Sequence, residues 1–266
     1  IDAPANALLN VKITTLPGAG TLQDNGVNVT AGQFVSLADI NAGKLVFTPV
    51  ANANGAGYAA FTFQVQDDGG TANGGVDLDT SARTMTVNVT SVNDAPVGTN
   101  NTVTTLEDTA YTFTAADFGF TDPIDAASVA GTNALTAVKI TTLPGAGTLQ
   151  DNGVNVTAGQ FVSLADINAG KLVFTPAANA NGAGYASFTF QVQDDGGTAN
   201  SGVDLDTTAR TMTVNVTSVN DAPVGTNKTV TTLEDTAYTF TAADFGFTDP
   251  SDAAGAAGAN ALLNVK

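Results

Sequence analysis

The chain has no cysteine, no histidine and no tryptophan among its 266 residues. Thiol nucleophiles, histidine-based triads and the usual zinc sites are therefore excluded. Disulfides cannot brace the fold, so packing or bound cations must do so. Positive charge is scarce: 8 Lys+Arg face 25 Asp+Glu, a formal net charge of −17. That balance argues against nucleic acid, which is bound by setting Lys and Arg on phosphates. Glutamate is nearly missing, since only Glu107 and Glu234 are not Asp among the 25 acids. Short carboxylates of this kind belong in turns and loops rather than on helices. No apolar run reaches the roughly 18 residues a membrane helix needs, so no membrane insertion is expected. What is present is 43% hydrophobic residues, too many for an acidic disordered tail, in a length that suits about two domains. A cation-binding, non-catalytic β protein fits this composition better than an enzyme.

An internal repeat sets the organisation. Lys12-Ile-Thr-Thr-Leu-Pro-Gly-Ala-Gly20 recurs as Lys139 to Gly147, and the same shift of 127 carries Tyr58 to Tyr185, Asp94 to Asp221 and Glu107 to Glu234. Residues 12–138 and 139–265 differ at 11 positions, gathered mostly where Ile124 becomes Ser251 and Thr136 becomes Leu263. A solenoid unit runs about 20–50 residues, so a period of 127 is a whole domain. The expected division is 1–96 as a partial repeat lacking its first strands, 97–223 as a complete repeat, and 224–266 as the first strands of a third. The chain reads as a window from a longer array.

Within the complete repeat, period-two alternation dominates. Tyr111-Thr-Phe-Thr114, Phe188-Thr-Phe-Gln-Val-Gln193 and Met212-Thr-Val-Asn-Val-Thr217 each place apolar residues on one face. Further strands are expected at Ala137–Thr142, Val154–Val162 and Lys171–Thr175, with a helical turn at Ser163–Asn168 carrying Leu164 and Ile167 inward. Asp151-Asn-Gly153 has the composition of a two-residue hairpin turn. Seven or so short strands without a long helix indicate an all-β fold: tandem immunoglobulin-like antiparallel β-sandwiches in an extended array.

The acids cluster. The complete repeat holds 12 acids and 3 basic residues. Glu107-Asp108 follows the first strand, and Asp117, Asp122 and Asp125 follow the second. Asp194-Asp195 ends a later strand, Asp204 and Asp206 precede the last one, and Asp221 sits in Val219-Asn-Asp-Ala-Pro223. In a sandwich several of these loops share one end, where the linker Val92-Asn-Asp-Ala-Pro96 also arrives. Carboxylates at this density repel one another unless a cation lies among them, and Ca²⁺ takes six to eight oxygens. The plainer alternative is that they are solvated turn residues. Paired acids also suit glycosidases, but those usually bring aromatic platforms and a cleft, and this chain repeats itself almost verbatim. The threonines of Thr211-x-Thr213-x-x-x-Thr217 are read as an ordinary solvent face, and the sequons at Asn28, Asn88, Asn100, Asn155, Asn215 and Asn227 as chance in an Asn- and Thr-rich chain.

Tyr185-x-x-Phe-Thr-Phe-x-Val-x-Asp-Asp-Gly-Gly197 followed by Met212-x-Val-x-Val-x-x-Val-Asn-Asp-Ala-Pro223 resembles the second half of a cadherin repeat. With Leu106-Glu-Asp-Thr109 and Phe174-Thr-Pro-x-x-Asn-x-Asn-Gly182, it resembles still more the bacterial cadherin-like, immunoglobulin-like tandem repeats of giant secreted adhesins of the repeats-in-toxin type. The resemblance implies Ca²⁺ held at the linkers. At the first, Asn93 and Asp94 would join Asp122, Asp125 and Asp194. At the second, Glu107 would join Asn220, Asp221, Asp249 and Asp252. Asp195, with Asp204 and Asp206, could instead form a site inside one domain. The sequence departs from the cadherin pattern at Asn179-Ala-Asn181-Gly182, where the family has an acid. One or two ions per linker is then the expectation.

The function these readings imply is mechanical: a Ca²⁺-rigidified spacer of a bacterial surface adhesin, extracellular at the cell surface, with neighbouring repeats of the same chain as its partners. A second reading is a filament subunit joined by strand donation between 224–266 of one copy and 1–96 of the next, a homopolymer by strand complementation. In a continuous array the same contact would lie within one chain. A carbohydrate- or protein-binding module ranks last, for want of an aromatic cluster.

Overall fold

The computed structural model describes residues 5–125, 128, 131–253 and 260–266. Nearly every regular element in it is a short β-strand, and the chain clusters into two units. The first comprises 1–93 with 124–132, the second 94–123 with 133–266.

The first unit contains β1 (Leu8–Ile13), β2 (Thr21–Asp24), β3 (Val27–Asn28), β4 (Phe34–Ser36), the one-turn helix α1 (Leu37–Asn41), β5 (Leu45–Thr48), β6 (Gly55–Asp67) and β7 (Arg83–Val89). They form two antiparallel sheets, β4-β1-β6-β7 and β3-β2-β5. The second unit contains β8 (Asn101–Leu106), β9 (Tyr111–Thr112), β10 (Leu135–Ile140), β11 (Thr148–Asp151), β12 (Val154–Asn155), β13 (Phe161–Ser163), α2 (Leu164–Asn168), β14 (Leu172–Thr175), β15 (Gly182–Asp194) and β16 (Arg210–Thr217). Its sheets are β13-β10-β15-β16-β8 and β12-β11-β14-β9. All pairings are antiparallel except β8 on β16, which is parallel over Met212↔Asn101 to Thr217↔Leu106. This is an immunoglobulin-like all-β sandwich, as the alternation of apolar residues predicts.

Local chemistry explains the turns. Asn152 and Gly153 both take positive φ, 52° and 79°, as a tight hairpin between β11 and β12 demands. Gly147 is fixed by space: a Cβ there would lie 2.6 Å from the Phe174 ring and 2.7 Å from the Thr175 carbonyl. The Ser163 hydroxyl accepts from Asp166 N at 3.0 Å and caps α2, which turns Ile167 into the core.

Two expected strands come out differently. Val154–Val162 breaks into β12 and β13, which pair in different sheets, because Thr157 to Gln160 forms a turn with Gly159 at φ 87°. The strand expected at Tyr111–Thr114 ends at Thr112. Thr114 N donates to Asp117 Oδ2 at 2.7 Å and starts a 3₁₀ turn, Ala115–Phe118, that carries Phe118 inward. Asp117 is thereby committed to capping.

Phe113 and Phe118 close the second core. Phe113 meets Phe188 edge-on at 5.5 Å, and Phe118 meets Phe190 at 4.9 Å. Both rings are fully buried, as are Phe174 and Met212. The first unit has no equivalent of β8, β9 or these rings among its described residues, and the difference shows. Met85, which sits in β7 where Met212 sits in β16, is 45% exposed against 0%. The C-terminal segment repeats the closing sequence, yet no strand forms over 228–240. Its capped 3₁₀ turn at Ala242–Phe245 and the bridge Val224↔Thr248 persist, because these are satisfied locally, whereas a strand needs a neighbour. Phe240, the copy of Phe113, is 59% exposed.

Phe113→Ala is expected to destabilise the second unit by about 3–5 kcal/mol, while Phe240→Ala stays within about 0.5 kcal/mol of the parent. Urea unfolding of the two variants beside the parent chain checks this; equal effects would contradict the assignment of the closing rings.

Candidate functional site

Acids in this fold divide into those the protein satisfies and those it does not. Asp206, 2% exposed, belongs to the first class. It accepts from Arg210 Nε at 2.9 Å, Gly98 N at 2.9 Å and Thr208 N at 2.9 Å. Burial alone would raise its pKa, but the Arg210 bond, the two backbone donors and the Arg210 charge together hold it below the ordinary value. Asp204 is likewise used, accepting from Gln193 Nε2 at 3.0 Å. Asp206 thus ties the entering chain at Gly98 to the last hairpin, a structural role, and its bonds do not join it to Asp195. Asp195 Oδ1 instead accepts from Ala134 N at 2.7 Å.

Asp122 and Asp249 belong to the second class. They occupy equivalent places in successive repeats, each 5% exposed. Asp122 Oδ2 accepts from Asn133 N at 2.8 Å, and Asp249 Oδ2 from Asn260 N at 3.0 Å. In both, Oδ1 is buried without a hydrogen-bond partner. A buried acceptor left unsatisfied costs about 1–3 kcal/mol, and more when charged.

Around the second linker the fold brings several acids together, all within the second unit. Glu107 follows β8 and is buried; its carboxylate accepts from Val219 N and, at 2.8 Å, from Asn181 Nδ2. The Val219 N–H, followed by the Asn181 amide, holds the Glu107 pKa below its usual value against the opposing effect of burial. Asp108, at φ 57°, accepts from Asn179 N at 3.0 Å. With its amide turned to donate, Asn179 also reaches Asp108 Oδ2 at 3.2 Å and Asp221 Oδ2 at 3.3 Å. Asn260 Nδ2 donates to Asn220 Oδ1, while its backbone N–H holds Asp249. Three asparagines thus stand between the acids Glu107, Asp108, Asp221 and Asp249. Asp252 lies in the short helix α3 (Pro250–Ala253), with its side chain outside the described residues.

Of the residues expected at the first linker, Asp94, Asp122 and Asp194 fall in the second unit, Asn93 and Asp125 in the first. Asn93 and Asp94 are half-buried, and Asp125 is buried. Asp194, also buried, accepts from Gly196 N at 2.9 Å through Oδ1. Among the described residues, no group of three or more acids is gathered closely enough to hold a metal ion. Here the Asn181 and Asn260 amides present nitrogen to their neighbours, and buried carboxylate oxygens without a partner occur at Asp24 and Asp151 as well as at Asp122 and Asp249.

Sequence reasoning named Asp108 among the clustered acids without giving it a role, missed Asn133 and Asn260, and read Asn179 and Asn181 only as missing acids. A signal for Asn133 and Asn260 existed: they are identical across the stretch where the repeats differ most.

Residues 93–217 match the family of the bacterial Ig domain. That span contains β8 to β16, so it is this part of the chain that is similar to bacterial Ig domains. No curated protein matches it.

Because Glu107 is lowered in the fold, its contribution to stability is fully present above the unfolded value of about 4.3 and lost as pH falls through the folded value. Glu107→Gln is expected to flatten the acid side of the stability profile below about pH 5. Melts from pH 7 to pH 3 read the slope; an unchanged slope would contradict the bonds assigned to Glu107.

Proposed function

We propose that this chain is a Ca²⁺-stabilised structural spacer of a bacterial surface adhesin, acting outside the cell and without catalysis. The observation that carries the reading is the pair of buried, unpartnered oxygens, Asp122 Oδ1 and Asp249 Oδ1, repeated 127 residues apart beside the two Asn-Asp-Ala-Pro linkers. A buried carboxylate oxygen left open once is a defect. The hairpin acids Asp24 and Asp151 leave an oxygen open at the same spacing, so what favours an ion at Asp122 and Asp249 is their place among the other acids.

Glu107, Asn220, Asp221 and Asp249 would hold the ion at the second linker, with Asp252. Asp94, Asp122 and Asp194, all in the second unit, would serve at the first. The asparagines suit this exchange: each amide has an oxygen as well as a nitrogen to offer, so Asn179 and Asn181 can turn from donating to carboxylates to coordinating beside them. One or two ions per linker remains the reading. Each ion supplies two positive charges to a repeat with 12 acids and 3 basic residues, relieving repulsion that otherwise loosens the linker. Extracellular modules bind Ca²⁺ at about 10⁻⁴–10⁻³ M, so the repeats would stiffen on export and stay loose in a low-Ca²⁺ cytosol. Bacterial Ig domains are often extracellular, and among the described residues no helix is long and apolar enough to cross a membrane.

At about 5 mM Ca²⁺ and a Kd near 0.1 mM, one site stabilises by about 2.3 kcal/mol. That corresponds to a rise in Tm of about 8 °C for a domain of this size. Calorimetry in Ca²⁺ and in EGTA measures it, together with small-angle scattering for the stiffening. Asp122→Asn and Asp249→Asn are expected to shrink the Ca²⁺-dependent rise while leaving the EGTA melt unchanged or higher, since each removes an uncompensated buried charge. Identical melts and scattering in the two buffers would reject the proposal.

A further inference from the structure

Three of the four sheet edges in the second unit are very short: β9 and β12 have two residues each and β13 has three. Beside β13, Lys139 Nζ stands 5.5 Å over the exposed Phe161 ring, which sets a charge at that edge. β8 is the exception, with six residues from Asn101 to Leu106. Those six include no proline and no charged residue, and their register on β16 runs without a bulge. Proline, charge, a bulge or shortness is what ordinarily keeps an edge from pairing with another chain. β8 has none of them.

The main-chain groups this edge offers follow from bonds already made. Glu107 N, one residue past the strand, donates across the ladder to Thr217 O at 2.9 Å. Alternation then points Val103 and Thr105 at β16 as well, and turns the N–H and C=O of Thr102, Thr104 and Leu106 outward. Two of these outward groups are satisfied locally. Thr102 N donates to Asn101 Oδ1 at 2.8 Å, and Leu106 O accepts from Thr109 N at 3.2 Å. Among the described residues no strand lies beside the rest, which are Thr102 O, Thr104 N, Thr104 O and Leu106 N.

We infer that β8 is a contact by which two copies of this chain pair edge to edge, antiparallel, about a two-fold axis through Thr104. In that register the two Thr104 residues exchange both main-chain bonds, and each Leu106 N donates to Thr102 O of the other copy. All the open groups are used and neither local bond is broken. Moving the axis to residue 103 sets Thr104 O against Thr102 N, which is already bonded; moving it to 105 sets Thr104 N against Leu106 O, likewise taken. On the outer face the Thr104 side chains meet across the axis, and each Thr102 stands opposite Leu106, 49% exposed in the single copy. Cross-strand pairs of this kind add to the main-chain bonds. Charge selects the same place. Copies at −17 each repel, and this strand brings no carboxylate to the contact. Glu107, the next acid along the chain, is buried and held by Val219 N and the Asn181 amide. The same surface is used twice, so the contact closes at two copies, which run in opposite directions.

The chain has no cysteine, so single cysteines report the contact. In an antiparallel hydrogen-bonded pair the Cα atoms stand about 5.5 Å apart, within reach of a disulfide. Thr104→Cys, Thr102→Cys and Ser187→Cys alter exposed positions on one sheet face, and each whole chain is oxidised mildly at about 200 µM, in EGTA and about 0.15 M salt. Thr104→Cys is expected to form a disulfide-linked pair at least about tenfold faster than the other two, since Thr102 faces Leu106 and Ser187 lies two strands inward. Sedimentation of the parent chain from about 10 to about 1000 µM should show a mass rising from one 26.6 kDa copy toward two. Thr104→Asp sets like charges face to face across the axis and should hold the mass at one copy, while an equal mixture of Thr104→Asp and Thr104→Lys should pair again. Equal cross-linking rates for the three cysteine variants would overturn the inference. So would a parent chain that stays single at the highest concentration, pairing undiminished in Thr104→Asp, or a mixture that does not recover it. Each readout is taken in EGTA, so its outcome is independent of the Ca²⁺ reading.

Discussion

Closure of the β16 edge by β8, with Phe113 and Phe118 following it inward, is the interaction on which the finished sandwich depends. The chain contains its own control. Two units with almost the same residues differ in whether that segment is present, and burial changes at positions whose identity does not. Met212 is covered because β8 lies beside it, and Met85 is uncovered because no strand among the described residues does. The hydrophobic contribution of a residue here belongs to its neighbours as much as to itself, which is the physical meaning of burial measured as area removed from water.

The carboxylates follow a comparable rule. An acid in this fold is settled by what the backbone and the few cations can offer it. Asp206 has Arg210 and two amide hydrogens, so it serves as a joint between the entering chain and the last hairpin. With only 8 Lys and Arg for 25 acids, most carboxylates must use backbone N–H groups or amides instead. Asp122 and Asp249 each find one such partner and no second. An excess of acids over bases is an overall property of the sequence, but its consequence falls on individual oxygen atoms.

Much of the fold was legible in the sequence, for reasons that can be named. Alternation in Phe188 to Gln193 reports a strand with one buried face, and Asp151-Asn-Gly153 reports positive φ. What could not be read is where a strand stops for want of a partner. Lys228 to Leu233 has nearly the same sequence as β8 and forms no strand, because propensity is local while pairing is not. The candidate acids stood out by residue type, since Asp in linkers and loop ends is conspicuous. The details of their surroundings were not legible, because Asn179, Asn181 and Asn260 look like ordinary loop asparagines until the chain brings Glu107, Asp221 and Asp249 to them.

The parallel pairing of β8 and β16 bears on how the second unit answers to being pulled. Parallel first and last strands place the entry of β8 and the exit of β16 at opposite ends of the shared ladder. Tension applied through the flanking chain therefore slides one strand along the other, loading the row from Asn101 to Leu106 all at once rather than peeling it bond by bond. A two-strand seam loaded in shear yields only when its bonds fail together. In this sandwich the load path runs through that seam.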